Sequence, residues 1–305
     1  MPDIIVVGSI NMDLVVHLER HPLPGETLLG SDYQTFPGGK GANQAVAAAR
    51  AGGSVRMVGC LGSDGFGAQL LEGLAQDGID TRWIKRMEGP SGVAFIAVNA
   101  QGQNSIIVAP GSNYRLLPED LNAEAFQGAK VVLLQLEVPL PTALEAARRG
   151  REAGAQVILN AAPARNLTAD ELRDVNLLVV NEFEAGVVLG RKAPEGLEGA
   201  LAAAQGLCQR VSSAVITLGA EGCVWADSSG QGYVPAFPVQ PVDTTAAGDA
   251  FVGMLASRLA KGEALAPALR WASAAGALAT TQEGAQPSLP TEAEVASFLA
   301  AHSSP

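Results

Sequence analysis

Histidine and cysteine are scarce in this chain, with three of each among 305 residues. His17, His21 and His302 lack the spacing of metal ligands, so no histidine-based metal centre is expected and none is given a role. Cys60, Cys208 and Cys223 stand far apart in apolar surroundings. That suits buried free thiols in a reducing cytoplasm, not a disulfide framework or a catalytic thiol. Positive charge is also short: 20 Lys and Arg face 31 Asp and Glu, for a formal net charge of −11. The cations are scattered, so neither nucleic acid nor an anionic membrane surface is an expected partner. An anionic small ligand must then be held by local backbone donors and a metal. No apolar run approaches the roughly 20 residues of a membrane span, and no secretion signal opens the chain. A cytoplasmic location is expected. A G-x-S-x-G elbow is missing, which argues against a serine hydrolase. Gly38-Gly39-Lys40-Gly41 has part of a Walker A loop, but no glycine stands five residues before Gly39 and Lys40 is followed by Gly. That excludes a P-loop. The glycines of 62–67 are not in G-x-G-x-x-G order and read as a tight strand-to-helix turn.

What is present is apolar residue in quantity, 48% of the chain, enough for a sizeable core. The length would suit two domains, yet α/β folds of this size are often one large domain with an insertion. Short runs rich in Val, Ile and Leu at 4–9, 55–60, 131–136, 157–160, 177–181 and 214–218 alternate with helical stretches at 41–51, 65–76, 141–153 and 197–210. Near-continuous apolar strands separated by helices predict a doubly wound, mostly parallel α/β sheet with helices on both faces. Two regions break the rhythm. Residues 12–18 with 28–36, and 92–98 with 105–108, read as antiparallel pairs that combine into one small β-sheet. It would lie as a lid over the strand ends, formed by about 12–36 and 92–108 inserted in a single domain of 1–305. Such a lid excludes water, and its apolar face needs cover, most simply a second subunit in a homodimer. The last third is helical at 248–261, 265–280 and 291–301.

Three runs carry chemistry. Asp243-Thr244-Thr245-Ala246-Ala247-Gly248-Asp249 follows an extended segment, 233–242, and opens an apolar helix. The small residues Ala246, Ala247 and Gly248 let backbone approach a ligand, and N–H groups at a helix start form an anion site. Asp249 inside that anion hole fits a base taking a proton from a hydroxyl, although a plain capping Asp reads the same from this stretch alone. No structural partner for it is visible in the sequence. Gly8-Ser9-Ile10-Asn11-Met12-Asp13 puts Asn11 and Asp13 just past a strand's carboxyl end, where open α/β sheets place ligands. Gly38 to Ala45 then brings Gly39, Lys40, Gly41 and Asn43 to a helix start. Carboxylates and amides suit a ligand dense in hydroxyls. Singly, Asn11 and Asp13 also read as turn formers and Lys40 as a solvated charge. Asn181-Glu182-Phe183-Glu184 ends a strand and starts a helix, which by itself reads as a capping pattern. Thr217 to Gly222 turns between two strands.

Together these runs resemble the ribokinase family of sugar kinases. The resemblance extends over 8–13, 38–45, 135–137, 160–165, 181–184, 217–222, 243–249 and 284–288, nearly the whole length. It implies a ribokinase-like fold and ATP-dependent phosphorylation of the 5-hydroxyl of D-ribose, with Asp249 as base. It further implies that Asn11, Asp13, Gly39, Lys40, Gly41, Asn43 and Glu137 hold the sugar. Asn181, Glu184, Thr217, Gly219, Ala220, Gly222, Gly248 and Ser273 would line the ATP and Mg²⁺ side. A monovalent cation such as K⁺ would be held by Asp243 and Ser288 with the carbonyls of Thr245, Ala279, Gln282 and Gly284. Two other readings stay open: a related kinase acting on deoxyribose, another sugar or a nucleoside, and a sugar- or nucleotide-binding regulator without catalysis. Intact Asp249 and Gly248 argue against the second.

Overall fold

Consecutive apolar residues with no polar alternation can only be strands covered on both faces, and they form the centre of the molecule. The computed structural model describes residues 3–302. Its strands begin with β1 Ile4–Val7, β2 Asn11–His17, β3 Gln34–Gly38, β4 Val55–Gly62, β5 Asp80–Met87, β6 Gly92–Val98 and β7 Asn104–Ala109. They continue with β8 Val131–Leu134, β9 Gln156–Asn160, β10 Leu177–Asn181, β11 Ser213–Thr217, β12 Gly222–Asp227 and β13 Gly230–Pro235. The first helices are α1 Lys40–Arg50, α2 Gly65–Gln76, α3 Leu140–Glu152, α4 Ala169–Leu172 and α5 Glu182–Leu189. Then come α6 Gly196–Leu207, α7 Ala247–Ala260, α8 Leu265–Ala279 and α9 Glu292–Ala301.

A nine-stranded sheet has the order β13-β12-β11-β10-β9-β8-β1-β4-β5. From β5 to β11 neighbours run parallel, and β12 and β13 close that edge as an antiparallel hairpin. Alternate residues of one strand serve opposite cores. Ile5 and Val7 pack with α3, α5 and α6, while Ile4 and Val6 pack with α1, α2, α7 and α8. From β1 the chain builds out through β4 and β5, then returns to β8 on the other side of β1 and continues to β11. The reversal makes a switch point between β1 and β8, where a crevice opens beyond the strands' carboxyl ends.

The small sheet forms as expected from two distant segments, in the order β3-β2-β6-β7. Each expected pair is antiparallel, and β2 joins β6 in parallel. One boundary differs. The strand expected from residue 28 begins at Gln34. Residues 28–33 touch β2 through the Ser31 pair with His17, whose N–H donates to Ser31 Oγ while the Ser31 N–H donates to the His17 carbonyl. Strand β5 went unforeseen because on its sheet edge charged residues are mixed with apolar ones of which only Ile84 is buried, leaving no continuous apolar run. The extended stretch expected to reach residue 242 stops pairing at Pro235, and Pro238 and Pro241 offer no N–H to a ladder. Among the described residues no helix is long and apolar enough to cross a membrane.

Candidate active site

The crevice at the switch point gathers residues from far apart in sequence. Ser9, just past β1, donates from Oγ to Glu137 Oε2 at 2.6 Å, and the Lys40 N–H donates to the same oxygen at 3.0 Å. The turn between β3 and α1 passes here only because Gly39 has φ +88, and a Cβ there would lie 2.7 Å from the Asn11 nitrogen. Asn11 is buried, and its Oδ1 accepts from Asn113 Nδ2 at 2.7 Å. Asn113 also accepts the Ile10 N–H at 2.9 Å, so the Asn11 amide is held by a residue more than a hundred positions away. Asp13 lies on the same face of β2 as Asn11, since side chains alternate. Burial, with the carboxylates of Glu137 and Asp249 nearby, pushes its carboxyl up to about 7. Lys40 is the counterweight. Burial pulls its ammonium down, but Asp249, Glu137 and Glu184 more than offset this and leave it raised. The cluster is thus one cation among several carboxyl groups, with Asp13, Glu184 and Asp249 buried and Lys40 and Glu137 partly exposed.

Asp249, in the first turn of α7, is buried and has two structural partners that the sequence did not show. Asn43 Nδ2 donates to its Oδ2 at 3.0 Å and Gln44 Nε2 donates to its Oδ1 at 2.9 Å. Asn43 Oδ1 is buried without a hydrogen-bond partner among the described residues. Such an acceptor suits a ligand hydroxyl, because a buried polar atom left unpaired costs free energy. Ala246 caps α7 in the left-handed region at φ 59, where alanine is strained, at the mouth of the expected anion hole. Of the three expected donors, Ala247 already gives its N–H to the Thr244 carbonyl at 3.3 Å.

On the other side of α7 lies a cavity of about 370 Å³. Thr217, Gly219, Ala220, Gly222, Gly248 and Ser273, six of the residues assigned to the nucleotide side, line it together. So do Phe237, Pro238, Val239, Pro241, Phe251 and Ala277, an apolar wall with no chemical motif to announce it. Asn181 and Glu184 stand outside this lining, although Asn181 pairs in register with Thr217. They form a capping box: the Glu184 N–H donates to Asn181 Oδ1 at 2.8 Å, and Glu184 Oε2 accepts the Asn181 N–H at 2.9 Å. Burial raises the Glu184 carboxyl despite that hydrogen bond.

Beside the α7 start, Asp243 Oδ1 accepts from the N–H and hydroxyl of Thr245, and Oδ2 accepts the Gly284 N–H at 2.9 Å. Burial would raise the carboxyl, but these bonds outweigh it and hold it below its ordinary value. The Asp243 N–H donates to the Thr280 carbonyl, which links this turn to the end of α8 carrying Ala279 and Gln282. Ser288 is buried with its hydroxyl on the Ala285 carbonyl at 2.8 Å. The structure therefore brings Asp243, Thr245 and Gly284 into direct contact, and Ser288 a few residues further along.

Ser9, Gln44, Asn113, Gln135 and Asn160 were given no role from sequence. Four of them stood inside the quoted runs, and that membership was the available signal. Asn113, in the short helical turn Gly111–Arg115 after β7, carried none.

A buried carboxylate at a helix start, polar groups on one side and a small-residue cleft on the other, defines a small-molecule kinase. Residues 1–292 match the pfkB family carbohydrate kinase family, and the chain belongs to it. It is 40% identical to the ribokinase of Bacillus subtilis over 302 residues, 98% of this chain and 100% of the relative. It is 35% identical to the deoxyribokinase of Salmonella typhi, over 97% of this chain and 98% of that one. The Arabidopsis thaliana ribokinase structure, complexed with ribose and ATP, superposes with a TM-score of 0.91 at 32% identity, covering 98% of each chain.

Proposed function

We propose that this chain transfers the γ-phosphoryl group of ATP to the 5-hydroxyl of D-ribose, giving ribose 5-phosphate and ADP. Asp249 takes the hydroxyl proton, the sugar oxygen bonds to the γ-phosphorus, and the bond to the bridging oxygen of ADP breaks. Asn11, Asp13, Gly39, Lys40, Gly41, Asn43 and Glu137 hold the sugar. Ala246 and Gly248 face the transferred group with backbone N–H groups, joined by Ala247 when its bond to the Thr244 carbonyl opens, and Thr217, Gly219, Ala220, Gly222 and Ser273 flank the nucleotide. Such a transfer needs little covalent chemistry from the protein, so fixed charge and position supply the rate. The observation that carries this proposal is the position of Asp249, buried and amide-held between the carboxyl cluster and the 370 Å³ cavity.

Deoxyribose is the second substrate to weigh, given the full-length likeness to the Salmonella typhi deoxyribokinase. ADP release should be measured with ribose, 2-deoxyribose, fructose and adenosine, and the product's phosphorylated carbon located by phosphorus NMR. Ribose is expected to give the highest kcat/KM with phosphate on carbon 5. ADP release no faster than background with every acceptor would overturn the kinase assignment.

Asn181 and Glu184 would hold Mg²⁺ mainly through water, since the capping box already takes one Glu184 oxygen. The ion would neutralise charge on the phosphates. A K⁺ ion beside Asp243, with carbonyls of Thr245, Ala279, Gln282 and Gly284 and with Ser288, would steady the loop before α7. The lowered Asp243 carboxyl, half-buried with little positive charge nearby, supports a cation there. The small sheet would act as a lid on one kinase domain. Leu14, Phe95 and Ile107 are direct cross-strand neighbours on the face opposite Asp13, and Phe95 and Ile107 are 50% and 69% exposed. That apolar face supports a homodimer formed through the lid. Three unpaired cysteines support a cytoplasmic location.

A further inference from the structure

We infer that Gln44 is a positioning residue for Asp249, and that Gln135 fixes the direction of its amide. The inference rests on Asp249 being the base. A carboxylate only accepts hydrogen bonds, so the Gln44 side chain must turn its NH₂ toward it. Both hydrogens of that group are used: Nε2 donates to Asp249 Oδ1 at 2.9 Å and to Asn160 Oδ1 at 3.0 Å. Gln44 Oε1 then faces the other way and accepts from Gln135 Nε2 at 2.6 Å. Asn160 is oriented too, because its Nδ2 donates to the Val179 carbonyl at 3.1 Å, inside the main sheet. Gln44 and Gln135 have no exposed surface. The row runs from the ends of β8 and β9 through α1 to α7; its polarity is fixed by two groups that can only accept, Asp249 and, through Asn160, the Val179 carbonyl, while Gln135 Oε1 is buried without a partner among the described residues.

The packing around the row leaves it no slack. A Cβ on Gly8 would fall 1.9 Å from Gln135 Oε1 and 2.8 Å from the Gly41 Cα, so a glycine is required where Gln135 passes. With Asn43 on Oδ2, each Asp249 oxygen has one lone pair tied to a neutral amide and another left for the substrate proton. Amides do not titrate in this range, so they hold the base without competing for the proton. Gln44 does not line the nucleotide cavity, and its amide is fully occupied by protein groups.

Gln44→Met keeps the length and bulk of the side chain and removes the donor. We expect kcat to fall about 10–100-fold, as for a misplaced reacting group, with ribose KM within about threefold of the parent. In an Asp249→Asn background the same substitution should cost the residual turnover almost nothing, since coupled residues are not additive. A packing role alone would instead leave Gln44→Met near parental kcat, or lower turnover equally in both backgrounds, and either result overturns the inference. Should Gln44→Met fail to fold, as judged by its melting transition, Gln135→Met decides. It removes the donor that holds Gln44 Oε1 in place, and kcat should fall with KM unchanged; unchanged kcat would refute the inference. Asp249→Asn on its own tests the base, so failure of that assignment is distinguishable from failure of this one.

Discussion

The two sides of Asp249 are built from different materials. The side proposed for the sugar is a knot of ionisable and amide side chains, Asp13, Lys40, Asn43 and Glu137 among them, oriented by hydrogen bonds between segments far apart in sequence. The side proposed for the nucleotide is a cleft of glycine, alanine, threonine and proline with an apolar wall. The proposed ligands account for the difference. A sugar is a small array of hydroxyls, each needing a partner of fixed direction, and unmatched partners carry a penalty. A nucleotide presents a flat apolar base and a charged tail that backbone N–H groups at a helix start can meet. Single side chains should therefore matter greatly on one side and little on the other.

The largest expected effect lies between the two. Asp249→Asn should reduce kcat by roughly 10²–10⁴-fold, the usual worth of general-base help. Retention of more than about a tenth of parental kcat, which so large a contribution forbids, would remove Asp249 as the base. On the sugar side, Asp13→Ala should weaken ribose binding by about 1–3 kcal/mol, read by titration calorimetry. Unchanged affinity would break the comparison there.

The same residue ties stability to pH. The folded Asp13 carboxyl titrates near 7, above its ordinary 3.8, so between those values the folded chain holds a proton that the unfolded chain has released. Stability must then fall as pH rises through that window. Asp13→Asn has no charge to bury, so its melting temperature relative to the parent should climb from about pH 4 to 7 and level off above, for a gain of a few kcal/mol at most. A difference that does not change with pH would show that Asp13 is not so confined. The smallest effect belongs to the nucleotide side: Ser273→Ala should change the KM for ATP by only a few-fold, under about 1 kcal/mol. A loss as large as that of Asp13→Ala would erase the contrast.

How much could be read from the sequence divides along the same line. The polar cluster proposed for the sugar was legible as a cluster because its residues are chemically distinctive and sit at strand ends and helix starts, as with Asn11, Asp13, Lys40 and Asn43. The parallel sheet was legible from runs such as Ile4 to Val7, whose unbroken apolar character admits one environment. The wall of Phe237, Pro238 and Val239 was not, because shape contributed by ordinary apolar residues has no pattern before the chain folds. Nor was Asn113, whose role depends on a turn that returns beside Ile10 and Asn11. Gln44 showed as a letter beside Asn43, but its direction is set by Gln135 and Asn160, and only tertiary structure joins them. The strand expected at 28–36 overran for a related reason: β-propensity does not say where a pairing partner ends.

The most direct test of Asp249 as a base standing between two separately built sites is binding to the variant that lacks it. Asp249→Asn should be titrated calorimetrically with ribose and, separately, with a non-hydrolysable ATP analogue. Both dissociation constants should stay within about threefold of the parent, a difference below 1 kcal/mol, because the lost group acts when charge moves and not when ligands bind. A loss of affinity for either ligand beyond about tenfold would show that Asp249 belongs to that ligand's binding site, and would contradict its assignment as the base between them.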